Sequence, residues 1–278
     1  MQKLENLTID GSNNKPIAID VFFNKTEHLK PIVIFCHGFK GFKNWGHFDL
    51  IAESFADQGF VFAKFNFSYN GTTIKQPTDF ADLEAFGNNN FSIELNDLRL
   101  VIDFIEKNAE QYAGNKAAIY LVGHSRGGGI AILKAYEDKR IKKLATWASV
   151  KDLNDFFASQ DIEQWKKDAV IYTRNSRTQQ NMPLYFQIYE DYLANKERLD
   201  IPHIANKIEI PWLIVHGTND TSVPFAAAEK LHQLNTKSDF LTIQNGDHTF
   251  GGKHPWNENE LPVDANMVIE KTIEFFKF

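Results

Sequence analysis

Gly123-His124-Ser125-Arg126-Gly127 stands directly after the apolar run Ile119-Tyr120-Leu121-Val122, and a helical pattern runs from Ile130 to Tyr136. The spacing is G-x-S-x-G, the pattern of a serine raised on a sharp strand-to-helix turn. Such a turn needs small residues two before and two after the serine so that the chain can close beneath it. Gly128 and Gly129 add two more positions of close backbone approach. The chemistry this offers is nucleophilic attack by the Ser125 hydroxyl. A phosphate cradle is the weaker reading, because the Lys-Ser/Thr pair of a P-loop is missing.

A nucleophilic serine needs a base, and the base needs an orienting carboxylate. Asp220 lies in His216-Gly217-Thr218-Asn219-Asp220-Thr221-Ser222-Val223-Pro224, just past the apolar run Trp212–Val215. His248 lies in Gly246-Asp247-His248-Thr249-Phe250, just past Phe240–Ile243. Serine, then aspartate, then histidine is a chain order in which such groups meet above one sheet edge. His254 is the rival base, and Asp152 and Asp247 are the rival carboxylates. Asp247 is adjacent in sequence to the base, so its side chain tends to point away. His37 and His124 flank turns, where each bonds locally or shapes the pocket, and His216 ends a strand and reads as structural. His37 and His248 make no metal pair, since no third ligand clusters with them.

Attack on a carbonyl develops an oxyanion that two aimed N–H groups must receive. The residue after the nucleophile, Arg126, supplies one backbone N–H. The loop His37-Gly38-Phe39-Lys40-Gly41 supplies the other, with Phe39 N–H as the donor and its ring as a wall of the acyl pocket. Cys36, the one cysteine, ends a buried apolar run and reads as an inert core thiol.

The elements that position these residues alternate. Continuous apolar runs at Pro31–Cys36, Phe60–Phe67, Ala117–Val122, Leu144–Val150, Trp212–Val215 and Phe240–Ile243 read as strands buried on both faces. Leu4–Ile9 and Ile17–Phe23 alternate more and predict an antiparallel hairpin at a sheet edge. Helical patterns lie between the strands, one of them (Leu95 to Ile105) with Ser92 as its expected cap. Strand, helix, strand, helix predicts an α/β fold with a mostly parallel, doubly wound sheet. Residues 151–206 break the rhythm. They show no clean strand, and Met182, Tyr185, Phe186, Tyr189, Tyr192 and Leu193 recur at helical spacing. That stripe packs on the core, lies over the active site as a cap, or does both.

The composition excludes other classes. A hydrophobic share of 43% with 24% charged residues belongs to a folded globular chain. The formal charge of −6 and the scattered lysines argue against a nucleic-acid track. No apolar run approaches the ~18 residues of a membrane span. With one cysteine and no apolar leader at the N-terminus, the expected location is the cytoplasm.

The chain resembles the α/β-hydrolase superfamily through His37-Gly38-Phe39, Gly123-His124-Ser125-Arg126-Gly127-Gly128, the segment His216–Pro224 and Gly246-Asp247-His248, in that order. Within it, the chain is most similar to the dienelactone-hydrolase-like and cinnamoyl (feruloyl) esterase-like group. Phe65-Asn66-Phe67-Ser68-Tyr69-Asn70-Gly71 fits that group, whereas Ser125 stands where true dienelactone hydrolases carry cysteine. The resemblance implies one domain over 1–278 with about eight strands and a small cap insertion at 151–206. It implies a serine esterase that cleaves a small or aryl carboxylic ester in two steps, with no cofactor or metal. Ser125 would attack, His248 shuttle the proton and Asp220 fix the imidazole tautomer. His124, Tyr185 and Tyr189 are the candidate pocket residues. A small aminopeptidase or thioesterase on the same residues remains an alternative, with Glu163 or Glu190 to grip a substrate amine. So does a ligand-binding protein that leaves the serine unused. The acidic balance disfavours polyanionic substrates unless Arg174 and Arg177 form a local basic patch.

Overall fold

A computed structural model describes residues 1–278. Ten strands form: β1 Gln2–Asp10, β2 Pro16–Phe23, β3 Lys30–Cys36, β4 Val61–Phe65, β5 Gly114–His124, β6 Ile141–Trp147, β7 Val170–Arg174, β8 Asn181–Tyr185, β9 Trp212–Gly217 and β10 Asp239–Ile243. The nine α-helices are α1 Phe48–Asp57, α2 Leu83–Gly87, α3 Phe91–Lys107, α4 Arg126–Glu137, α5 Ile162–Asp168, α6 Gln187–Ala194, α7 Ile201–Ala205, α8 Ala226–Leu234 and α9 Val263–Lys277. Eight strands make one sheet in the order β1-β2-β4-β3-β5-β6-β9-β10. β1 and β2 pair antiparallel at its edge, β2 joins β4 antiparallel, and every later neighbour is parallel.

The continuous apolar runs follow from burial on both faces. In β3, Ile32, Ile34 and Cys36 pack toward α3 and α4, with Leu95, Val101 and Ile130. Val33 and Phe35 point the other way, toward Phe48, Ile51 and Phe55 of α1 and Val268 and Ile269 of α9. A strand whose two faces both meet helices has no position left for a polar residue. The parallel strands all end at one edge, where the loops after β3, β5, β9 and β10 converge, and open α/β sheets form their clefts at that edge.

Two local expectations differ from what forms. The cap of α3 is Asn90, whose side-chain oxygen accepts from Ile93 N–H at 2.9 Å. Asn90 has the extended backbone a cap requires, whereas Ser92 is already inside the helix. Within residues 151–206, β7 and β8 pair as an antiparallel ribbon separate from the main sheet. Met182 and Tyr185 belong to β8, and the helix starts only at Gln187. Pro183 is the physical reason: it disfavours helical backbone at Met182 and has no N–H to donate, so the stripe cannot be one helix.

Candidate active site

Ser125 joins β5 to α4 with φ 57° and ψ −124°, a conformation that costs a non-glycine residue about 1–3 kcal/mol. The surroundings hold it there. Ser125 N–H donates to the Trp147 carbonyl and the Ser125 carbonyl accepts from Gly128 N–H, both at 2.9 Å. A side chain at Gly127 would collide with the carbonyls of Cys36 and His37, and a Cβ at Gly38 would sit 2.8 Å from Ser125 Cβ. The glycines are thus set by the close approach of the loop after β3 to the turn that carries Ser125.

The Ser125 hydroxyl lies 3.0 Å from His248 Nε2, and His248 Nδ1 lies 2.8 Å from Asp220 Oδ2. Asp220 is buried, and its other oxygen accepts from the N–H groups of Ser222 at 2.8 Å and Val223 at 2.9 Å. His216 Nε2 also reaches Asp220 Oδ2 at 3.1 Å and the Val223 carbonyl at 2.9 Å. Burial alone would raise the Asp220 pKa. The hydrogen bonds from His216, His248 and the Val223 N–H outweigh it and hold the carboxyl below the ordinary range. Asp220 is therefore an anion that fixes the His248 ring with Nδ1 as donor and leaves Nε2 to accept from Ser125. The structural reading of His216 was incomplete: it is the second imidazole on Asp220. Its position four residues before Asp220 was the only trace of this in the sequence.

Arg126 directly follows Ser125, and Phe39 follows Gly38, whose Cα lies against the Ser125 side chain. Arg126 is the first residue of α4, so the helix gives its N–H no partner, and Phe39 N–H makes no hydrogen bond within the protein. Their side chains meet. The Arg126 guanidinium carbon lies 4.5 Å from the Phe39 ring centroid, and Phe86 and Phe156 pack on the same ring. Arg126 also pairs with buried Glu94 at 2.5 Å. The loop is tied down further on. Fully buried Lys43 gives its Nζ to Asp20 at 2.6 Å, and Lys64 Nζ donates to the Lys43 carbonyl at 2.9 Å.

The remaining sequence candidates fall into place around this centre. His37 Nδ1 donates to the Gly38 carbonyl, and burial pushes its pKa down to about 4. His124 lines the cleft and donates from Nε2 to the His248 carbonyl at 2.8 Å. Burial, aided by the nearby His248, pushes its pKa down to about 3. His254 accepts from Gly46 N–H at 2.8 Å, and Asp247 accepts from Thr249 and Gly251 N–H, so neither rival completes the constellation. Asp152 caps the turn at Asn154. Cys36 is buried and its thiol is pushed up by that burial.

Tyr185 and Tyr189 do not line the cleft. Tyr185 ends β8 beside α2, and its hydroxyl donates to Glu84 at 2.6 Å. Tyr189 packs its ring on Phe157 and Phe186. The insertion reaches the cleft instead through the turn Asn175-Ser176-Arg177 between β7 and β8. Glu163 and Glu190 lie outside it.

The cleft beside Ser125 and His248 has a volume of about 490 Å³. A larger groove of about 770 Å³ lies at the amino ends of β6 and β9, between Tyr136, Lys207 and Leu234. It holds no serine, cysteine or histidine. No three His, Cys, Asp or Glu side chains gather to hold a metal ion. No helix is long and apolar enough to cross a membrane.

A family model described as BD-FAE matches residues 19–234. A search of curated protein sequences gives no match. Among solved structures, Est1E from Butyrivibrio proteoclasticus is similar with a TM-score of 0.69 at 18% identity, over 99% of this chain and 98% of that one. The alpha/beta hydrolase GrgF from Penicillium sp. sh18 gives 0.74 at 14% identity, over 100% and 98%. A puromycin-hydrolyzing peptidase from Mycobacterium tuberculosis gives 0.66 at 17% identity, over 99% of this chain and 39% of the peptidase. At these identities the likeness is one of fold.

Proposed function

Because the chain belongs to the BD-FAE family and has the α/β-hydrolase fold, we propose that it is a serine hydrolase cleaving a small or aryl carboxylic ester through an acyl-serine intermediate. The observation that carries this reading is the continuous path from Ser125 Oγ to His248 Nε2 at 3.0 Å and from His248 Nδ1 to Asp220 at 2.8 Å. Est1E, seen with ferulic acid bound, supports an aryl ester as the substrate class.

Ser125 Oγ attacks the ester carbonyl as its proton passes to His248 Nε2. The resulting imidazolium is stabilised by the Asp220 anion. The oxyanion takes the N–H groups of Phe39 and Arg126, a contribution of about 3–4 kcal/mol per donor in comparable sites. Collapse expels the alcohol, which leaves with the proton from His248. Water then enters, gives its proton to His248 and attacks the acyl carbon. Carboxylic acid leaves, and the proton returns to Ser125. Residues 151–206 act as a cap through the turn at 175–177, which shares the cleft with Ser125.

An aminopeptidase is the poorer reading, since the cleft offers no carboxylate to a free substrate ammonium. The test is labelling by a fluorophosphonate, followed by matched assays on aryl esters, thioesters and aminoacyl anilides. Rapid labelling of Ser125 with ester hydrolysis at least ~10-fold faster in kcat/KM than anilide hydrolysis supports the proposal. No labelling refutes it, and an anilide preference moves the chain to peptidase chemistry on the same three residues.

A further inference from the structure

The cleft is lined by 17 residues, among them Lys40, Arg177, Lys253, His248 and His254, and not one is an aspartate or glutamate. The chain as a whole is acidic, with a formal charge of −6, so this is a local reversal of sign. The cations are poorly compensated. Lys40, in the loop after β3, is half-buried and its Nζ meets only neutral oxygens, the Arg174 carbonyl at 3.0 Å and Thr173 Oγ1 at 3.4 Å. Arg177 donates to the Thr78 carbonyl at 3.1 Å, and its one carboxylate neighbour, exposed Asp79, stands at 3.4 Å. Lys253 enters no ion pair. His254 responds to this field: burial first, and then the Arg177 charge, push its pKa down.

Resting on the serine-hydrolase reading above, we propose that the substrate carries an anionic group, carboxylate or phosphate, which docks on Lys40, Arg177 and Lys253 while its ester lies at Ser125. Like-signed cations lining one cleft focus the field and raise the local concentration of anions. They come from three places in the chain: the oxyanion loop, the turn of the inserted ribbon and the loop after His248. An anion that bridges them would draw the ribbon onto the cleft. A neutral ester gains none of this.

The test compares 4-nitrophenyl butyrate with 4-nitrophenyl hydrogen succinate, which differ mainly in a terminal carboxylate, and adds a 4-nitrophenyl ester bearing a terminal phosphate. At low ionic strength the better anionic ester should exceed the neutral one in kcat/KM by about tenfold or more, and salt should erode the gap. Which anionic ester leads distinguishes carboxylate from phosphate. Arg177→Gln and Lys253→Gln should each lower the anionic-to-neutral ratio several-fold, through KM. Lys253 is exposed, so its variant keeps the fold. Calorimetric binding of the same esters to the Ser125→Ala variant provides a readout free of turnover. Equal binding and equal turnover of neutral and anionic esters overturn the proposal. Tight, salt-sensitive binding of the anionic ester without fluorophosphonate labelling of the wild type leaves the anion site standing and overturns the hydrolase reading.

Discussion

The guanidinium of Arg126 is stacked on the ring of Phe39, with the guanidinium carbon 4.5 Å from the ring centroid. These two residues also carry the backbone N–H groups proposed above as oxyanion donors, so one side-chain contact ties the two together. The loop after β3 and the start of α4 are thereby held in one geometry before substrate arrives.

That contact rests on a buried ion pair. Glu94 is fully buried, and desolvation raises its pKa even with Arg126 beside it. Arg126→Met should strand the Glu94 carboxyl and cost about 3–5 kcal/mol in urea unfolding. Adding Glu94→Gln should recover much of the loss, and Phe39→Ala should lower kcat while changing stability less. A double variant no more stable than Arg126→Met would show that the pair is not what the loop depends on.

The strained turn sets activity against stability. Ser125→Ala should lower kcat by roughly 10⁴-fold with the fold intact. Ser125→Gly should be equally inactive yet more stable by about 1 kcal/mol, because glycine accepts φ 57° and ψ −124° without steric cost. Thermal unfolding of the two variants side by side decides whether the turn stores strain.

Asp220 receives two imidazoles, and their roles separate by mutation. Asp220→Asn should lower kcat by about 10⁴-fold, since the wrong tautomer of His248 then faces Ser125. His216→Phe removes the donor at 3.1 Å but leaves the Ser222 and Val223 N–H groups in place. A loss of about tenfold in kcat, with little change in KM, is expected of such a positioning residue. A larger shift in KM than in kcat would mean that His216 acts on the cleft's shape instead.

Acid should unfold the protein through its buried histidines. Burial holds His37 and His47 at about 4 and His124 at about 3, against ~6.5 for an unfolded imidazole. A folded-state pKa below the unfolded one means that the fold favours the neutral ring. This stabilisation is whole above about pH 6.5 and is lost as pH falls toward 4, at about 1.4 kcal/mol per pH unit for each ring. Urea unfolding between pH 7.5 and 5 should show a steep decline, and His47→Phe should reduce its slope. A flat stability profile across this range would contradict the burial of these rings as neutral groups.

The strands were legible in the residue pattern, and so were the loops that bring Ser125, His248 and Asp220 within hydrogen-bond reach. The runs Ile32–Cys36 in β3, Ile119–Val122 in β5 and Trp212–Val215 in β9 are buried on both faces and apolar throughout, so the loops that follow stand out. Ser125, Asp220, His248 and the Phe39 loop were legible for that reason, as was the edge hairpin of β1 and β2. Pro183 was also in plain view as the residue that forbids one helix through Met182 and Tyr192, but its veto was outweighed by the aromatic spacing. That His216 shares Asp220 with His248, that Tyr185 spends its hydroxyl on Glu84, and that Lys40, Arg177 and Lys253 border one cleft became visible in the folded chain alone. Each of these depends on contacts between segments distant along the chain or on side-chain directions. A local pattern records which face of an element is buried, but not which charges from separate loops are brought into the same few ångströms.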